Sequence, residues 1–265
     1  MRIILILLLT FSIDCAKSQS IPSYWMNVYG TKLYVIKHGI PKHITVNSKH
    51  YYASGDYYTK KSIYNYISNN ELEGVEYKNE EEQLRFKYTL DSLNRILTEN
   101  SEEKYPLVGW TSKQIRYNYV DAHLTQEMVY KNNTLIRNVY YKYNEKGNIE
   151  SITIYNDSNE RVSQEEATYD YDKDIYHYKV YNGKGDVVLS KLNYCITDTS
   201  ENIRNAYGDF TKLLWTPSST RKKTYLITEY KYDSNNNWIE KKDYSQSDDK
   251  TKIQSIITRK IKYRK

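Results

Sequence analysis

YKYDSNNNWIEKKDY, Tyr230–Tyr244, decides the fold. Two further stretches share its plan: YKYNEKGNIESITIY, Tyr141–Tyr155, and LDSLNRILTEN, Leu90–Asn100. Each runs from an aromatic or apolar residue (Tyr230 and Tyr232, Tyr141 and Tyr143, Leu90) into Asp233, Asn144 or Asp91. Two free positions follow, then Asn236, Gly147 or Asn94, one polar residue, and Trp238, Ile149 or Ile96. The string predicts a β-hairpin. The middle suits a type I turn followed by one left-handed residue, and Gly and Asn tolerate positive φ best. The opening Asp or Asn can cap the turn through its side-chain oxygen. The bulky residue after the turn then faces the one before it, a cross-strand pair worth roughly 0.2–1 kcal/mol.

Weaker copies fill the gaps. Tyr117 and Tyr119 precede Asp121, with His123 where Gly is expected, and Tyr169, Tyr171 and Asp172 begin a copy with a shortened turn. Asn182–Asp186 (NGKGD) is a separate turn signal between Tyr176–Tyr181 and Val187–Tyr194. The slots at Asn94, Gly147 and Asn236 fit a period of roughly 25–30 residues, typical of repeat arrays. The expected fold is all-β: antiparallel hairpin repeats forming an elongated or coiled sheet.

The motif resembles the YD repeat of RHS-type bacterial proteins: Tyr-Asp, two free residues, Gly, Arg or Asn, then an apolar residue. Asp91-Ser92-Leu93-Asn94-Arg95-Ile96 matches best on the turn side, and Tyr232-Asp233 through Trp238 best overall. The resemblance implies hairpins stacked edge to edge into a long coiled sheet. The chain is short, with no core-processing segment and no distinct toxin-like region after the last repeat. It is more similar to small secreted YD-like proteins of Gram-negative bacteria.

Met1-Arg2 followed by an apolar run from Ile3 to about Ile13 reads as a signal peptide, too short for a membrane span. Ala16-Lys17-Ser18 before Gln19 gives an ordinary cleavage site, with residues 1–18 removed. Lipidation at Cys15 is the minority reading, because Asp14 fits a lipobox poorly. Cleavage would leave Cys195 alone, read as a small half-buried strand residue. The mature chain is expected in the periplasm, at the outer-membrane surface or outside the cell, with no transmembrane span.

Composition agrees with thin β structure. There are 31 Tyr against 3 Phe, and 39 % apolar residues. Tyr combines an apolar ring with a polar tip and suits half-wet sheet faces. So many aromatic and β-branched residues exclude a disordered chain. The net charge is +6; losing Arg2, Lys17 and Asp14 with residues 1–18 lowers it to +5. Lys and Glu interleave with Tyr, as in Glu240-Lys241-Lys242-Asp243, which reads as a solvated face, and no nucleic-acid motif accompanies the charge.

Along the chain, residues 19–85 form a divergent N-terminal part. Tyr51-Tyr52 and Tyr57-Tyr58 flank a hairpin signal at Ser54-Gly55-Asp56, Asn69-Asn70 turns, and Glu80-Glu81-Glu82 is an acidic turn or loop. Residues 86–196 carry repeats, 197–224 are an insertion, and 225–265 return to the repeat, all in one domain. Within the insertion, Asp198 and Glu201 resemble a capping box, and Ile203, Ala206-Tyr207, Phe210 and Leu213-Leu214 recur at helical spacing. A short helix or ordered insertion is expected near 198–215, ended by Pro217 and followed by a polar linker at Ser218–Lys223.

Chemistry-bearing motifs are thin. His38, His43 and His50 stand at spacings of five and seven, neither a metal-ligand pattern. No nucleophile elbow, P-loop, HExxH or CxxC occurs. The expectation is a non-catalytic binding or structural module without cofactor or metal. Its partner would be a protein or glycan in the envelope or outside the cell, not nucleic acid. The alternatives are an envelope-polymer hydrolase or, by analogy to the RHS family, an immunity-type partner of an interbacterial toxin system.

Overall fold

The computed structural model describes residues 36, 38–173, 175–194, 201–215, 224–247 and 250–264. The expected signal peptide, Cys15, Cys195 and the linker at Ser218–Lys223 lie outside these residues. Among the described residues seventeen strands follow in chain order. They are β1 (Pro41–Tyr51), β2 (Tyr57–Tyr66), β3 (Glu71–Lys78), β4 (Glu81–Leu90), β5 (Ile96–Tyr105) and β6 (Gly109–Val120). Next come β7 (His123–Lys131), β8 (Thr134–Tyr143), β9 (Ile149–Asn156), β10 (Arg161–Asp170), β11 (Ile175–Asn182) and β12 (Val187–Tyr194). The last five are β13 (Ile203–Arg204), β14 (Phe210–Trp215), β15 (Thr224–Tyr232), β16 (Trp238–Ser247) and β17 (Lys250–Tyr263).

Every ladder is antiparallel. Neighbours in sequence pair from β1 to β12 and again from β13 to β17. The two runs are joined by β1 against β17, with Ile44 opposite Ile261. The result is one open all-β sheet, with β12 and β13 as the ends of its ladders among the described residues. Residues 41–90 belong to the same sheet as the repeats.

Among the described residues one five-residue turn with a capping side chain occurs six times. In each, the side-chain oxygen of the first residue accepts backbone N–H groups further along the turn. Asp91 accepts from Leu93 and Arg95, Asn144 from Lys146 and Asn148, and Asn182 from Lys184 and Asp186. Asn205 accepts from Tyr207 and Asp209, Asp233 from Asn235 and Asn237, and Asn156 from Glu160. The fourth residue is left-handed each time: Asn94 at φ 60°, Gly147 at 76°, Asn159 at 59°, Gly185 at 95°, Gly208 at 79° and Asn236 at 59°. A bulge follows where the strands resume, as between Lys142 and Tyr143 and between Lys231 and Tyr232. This is the three-residue hairpin loop with its G1-type bulge.

No helix occurs among the described residues, so of the short helix or ordered insertion expected near 198–215 the helix is corrected over 201–215, while 198–200 lie outside the described residues. Residues 201–215 form the β13–β14 hairpin around Asn205-Ala206-Tyr207-Gly208-Asp209. The helical spacing arises from one apolar residue before the turn, Ile203, two inside it, Ala206 and Tyr207, and three on β14, Phe210, Leu213 and Leu214. Asn205 and Gly208, spaced like Asn144 and Gly147, carried the competing turn signal.

Burial is one-sided, so strands alternate between a buried face and an open face. Ile44, Val46, Tyr64, Leu72, Phe86, Tyr88 and Leu90 form one cluster. Ile115, Tyr117, Leu124, Val129, Val139, Tyr141, Ile149, Ile152, Ala167, Tyr176 and Tyr178 form the other. Each fully buried aliphatic side chain stabilises the fold by about 1.5–3 kcal/mol. Gly74 sits between Tyr64 and Phe86 in register. Its missing side chain lets the Phe86 ring lie over it and meet Tyr64 at 5.5 Å.

Candidate functional site: a polar groove on the open face

Among the described residues four carboxylates are buried. Glu99, Glu127, Glu165 and Asp243 are each under a tenth exposed. Burying an acid is costly unless donors surround it, and tyrosine, serine and threonine supply them here. Tyr117 donates to Glu99 at 3.1 Å, Tyr141 to Glu127 at 3.1 Å, and Tyr178 to Glu165 at 2.6 Å. Ser101 adds a bond to Glu99. Each of the first two pairs is diagonal: Glu99 faces Ile115 and Glu127 faces Val139, and the tyrosine lies two residues further on. Asp243 faces Thr228 on one side and Ser255 on the other, and accepts from both, at 2.9 and 2.8 Å. Asp243 is therefore corrected from the solvated face to the buried one.

These pairings set the local electrostatics. Burial raises the pKa of Glu127, opposed by the Arg137 guanidinium at 3.4 Å and the Tyr141 hydroxyl. Burial, then the neighbouring carboxylates, push the Tyr117 and Tyr141 phenols far up, so both stay protonated donors. These acids are structural centres that hold the face together.

The open face offers a different surface. A groove of about 740 Å³ crosses β2 to β7. Register lays one row straight across it: Asn65, Glu73, Lys87, Asn100, Gln114 and Tyr130, each opposite the next. Val75, Arg85, Glu102 and Ser112 make a parallel row. Tyr77 lines one side, and the Asn132-Asn133 turn lines the other. Beside it, the Arg85 guanidinium lies 4.6 Å from the Trp110 ring. Gln114 donates to Asn100 at 2.8 Å, and Asn65 bonds His43 at 2.7 Å.

The repeat positions lie elsewhere. Leu90, Tyr141 and Ile149 are buried, while Ile96, Tyr143 and Trp238 are half-buried. Asp91, Asn144 and Asp233 cap turns, and Asn94, Gly147 and Asn236 are their left-handed residues. Tyr230 lies two residues from Tyr232 on β15, with ring centroids 5.9 Å apart. None of these residues lines the groove.

His38 pairs through its backbone with Asn237, His43 bonds Asn65 and Thr45, and His50 bonds Ser48 and stacks on Tyr58. Among the described residues no group of three or more His, Cys, Asp or Glu is placed to hold a metal, and no helix is long and apolar enough to cross a membrane. The groove residues escape sequence reading because they come from six strands. Their one local signal is Asn or Gln alternating with buried side chains, as at Asn100 between Glu99 and Ser101.

No family model matches the chain, and no curated protein matches it. Among solved structures the fold is similar to a porin-like protein from Bacteroides uniformis ATCC 8492. The identity is 12 %, over 84 % of this chain and 98 % of that one, with a TM-score of 0.44.

Proposed function

We propose that the protein is a non-catalytic binding module of the cell envelope or its exterior, and that its ligand lies in the open-face groove. The carrying observation is the straight row from Asn65 to Tyr130, which sets polar side chains side by side across six strands. A surface of this kind suits an extended ligand. The carboxylates best shielded from water lie on the other face and are bonded to tyrosine, serine and threonine. Export rests on the apolar run from Ile3, and N-terminal sequencing of the mature product is expected to start near Gln19.

The test is co-sedimentation of the protein with insoluble envelope material from Gram-negative cells, with the supernatant checked for released fragments. A Gln114→Trp variant fills the groove. The protein is expected to sediment, the variant to stay in solution, and the polymer to remain intact. Equal sedimentation of both would remove the groove from binding. Released fragments would replace the module with a hydrolase.

A further inference from the structure

We propose that the groove takes an uncharged, hydroxyl-rich ligand, a neutral oligosaccharide laid across the strands. This rests on the groove being the binding surface. It is argued from how the groove's charges and hydrogen-bonding groups are already committed.

Three carboxylates, Glu73, Glu82 and Glu102, and three cations, Arg85, Lys87 and Lys113, line the groove. The cations are paired within the chain. Arg85 bridges Glu82 and Glu102, Lys87 bridges Glu71 and lies beside Glu73, and Lys113 reaches Glu99 at 3.6 Å. An anionic ligand would have to draw Arg85 and Lys87 from their partners. Lys113 is out of reach of such a ligand: it stands opposite Ser101, and its ammonium serves Glu99 on the buried face. A cationic ligand meets the same obstacle at Glu82 and Glu102. An uncharged ligand leaves every pair in place.

The amides are only partly engaged. Gln114 Nε2 donates to Asn100 Oδ1, and each amide has a donor and an acceptor face. Among the described residues this leaves Asn100 Nδ2 and Gln114 Oε1 for a ligand. A donor beside an acceptor matches a sugar hydroxyl, which both accepts and donates. Asn132 and Asn133, in a tight turn at φ 49° and 61°, add two more amides at the rim. Tyr77 on β3 and Tyr130 on β7 are four strand steps apart, about 19 Å at the usual strand spacing, and Tyr77 also lies four residues beyond Glu73 of the Tyr130 row, roughly 13 Å along the strand. That span accommodates several sugar rings, with an aromatic side chain at either end for their apolar faces.

Affinity electrophoresis in native gels tests this, with dextran, hydroxyethyl cellulose, arabinogalactan or xylan as neutral probes and polygalacturonate as the acidic one, each at low and high salt. At least one neutral polymer is expected to retard the protein, independently of salt. The Asn100→Ala/Gln114→Ala variant, with unchanged melting, should bind about tenfold more weakly, the size expected for losing two modest hydrogen bonds. A Lys184→Ala control in a distant turn should bind normally. Retardation by no neutral polymer overturns the proposal, as does retardation by polygalacturonate alone that fades in salt. If groove-dependent sedimentation with envelope material persists in that case, the ligand class is wrong and the binding module stands. If that is lost too, both fail.

Discussion

The hydroxyl of Tyr232 donates to the carboxylate of Asp209 at 2.7 Å and accepts from the amide of Asn205, tying β15 to a turn that begins 27 residues earlier. Its neighbour Asp233 caps the next turn, accepting from Asn235 and Asn237. Adjacent residues of the Tyr-Asp pair thus serve successive hairpins. Tyr263 likewise donates to Asp233 and accepts from Asn237, and the Tyr171 hydroxyl accepts from the amides of Asn144 and Asn148, across up to 30 and 27 residues. The spacing follows from geometry: one strand down and one strand back bring a tyrosine beside the turn before its own.

Tyr232→Phe keeps the ring and removes these bonds, and is expected to cost about 1–2 kcal/mol in denaturant unfolding. Burial, then the Asp209 hydrogen bond, push the Tyr232 pKa up to about 12, against about 10 in an unfolded chain. The protonated phenol is the bonded form. Its contribution is full below the unfolded value and fades as pH rises towards the folded one. The wild type and the variant should therefore converge in stability between those two values. A constant difference across that range would detach the effect from the hydroxyl.

Gly74→Ala is expected to destabilise by about 1–3 kcal/mol through overpacking. An added Cβ would stand 2.3 Å from the Ile63 carbonyl oxygen and 2.4 Å from the Phe86 ring, and the first is backbone that cannot swing aside. Lys87→Ala, on the open face nearby, should change stability by no more than about 0.5 kcal/mol. Comparable unfolding midpoints for the two variants would contradict the close approach.

Trp238 fills the slot that Ile96 and Ile149 fill in other copies, but it carries an extra partner. The guanidinium of Arg259, 5 % exposed, lies 3.6 Å from its ring centre, and Arg259 Nε donates to its carbonyl oxygen. Trp238→Ala should cost on the order of 2–4 kcal/mol if the site does not collapse. Trp238→Ile restores bulk and should still cost roughly 1 kcal/mol from the lost cation–π contact. Thermal melts of all three proteins decide this. Near-wild-type melting of both variants would make the ring an exposed platform instead of a structural one.

Glu127→Gln tests the buried carboxylates. Burial raises the Glu127 pKa, so the folded protein holds this proton more tightly than the unfolded chain does. The contribution is full below the unfolded carboxylate value of about 4.3 and is lost as pH rises through the folded value. The glutamine variant, which still accepts from Tyr141, should melt at or above the wild type at neutral pH. Its advantage should shrink in mild acid. An identical pH dependence for both proteins would show that Glu127 is not the titrating group.

The hairpin turns were legible because each is local. Five residues, such as Asn144–Asn148, contain the capping oxygen, the left-handed position and both strand ends, so nothing distant is needed to specify them. The all-β, antiparallel character follows from their repetition. Of the short helix or ordered insertion expected near 198–215, the helix fails. Ile203, Ala206, Tyr207, Phe210, Leu213 and Leu214 fit a helical period although Ala206 and Tyr207 lie inside a turn, and only the turn signal at Asn205–Asp209 separates the readings. Three features were decided by tertiary structure alone. In sequence Asp243 reads with Lys241 and Lys242 as one solvated face, yet register points it at Thr228 and Ser255 on the buried face. The pairing of Ile44 with Ile261 joins strands from opposite ends of the chain, and Asn237 pins His38 across 199 residues. The groove exists only once six strands are aligned. Sequence carries the alternation along each strand, but the row across them depends on the sum of every turn and bulge between Asn65 and Tyr130.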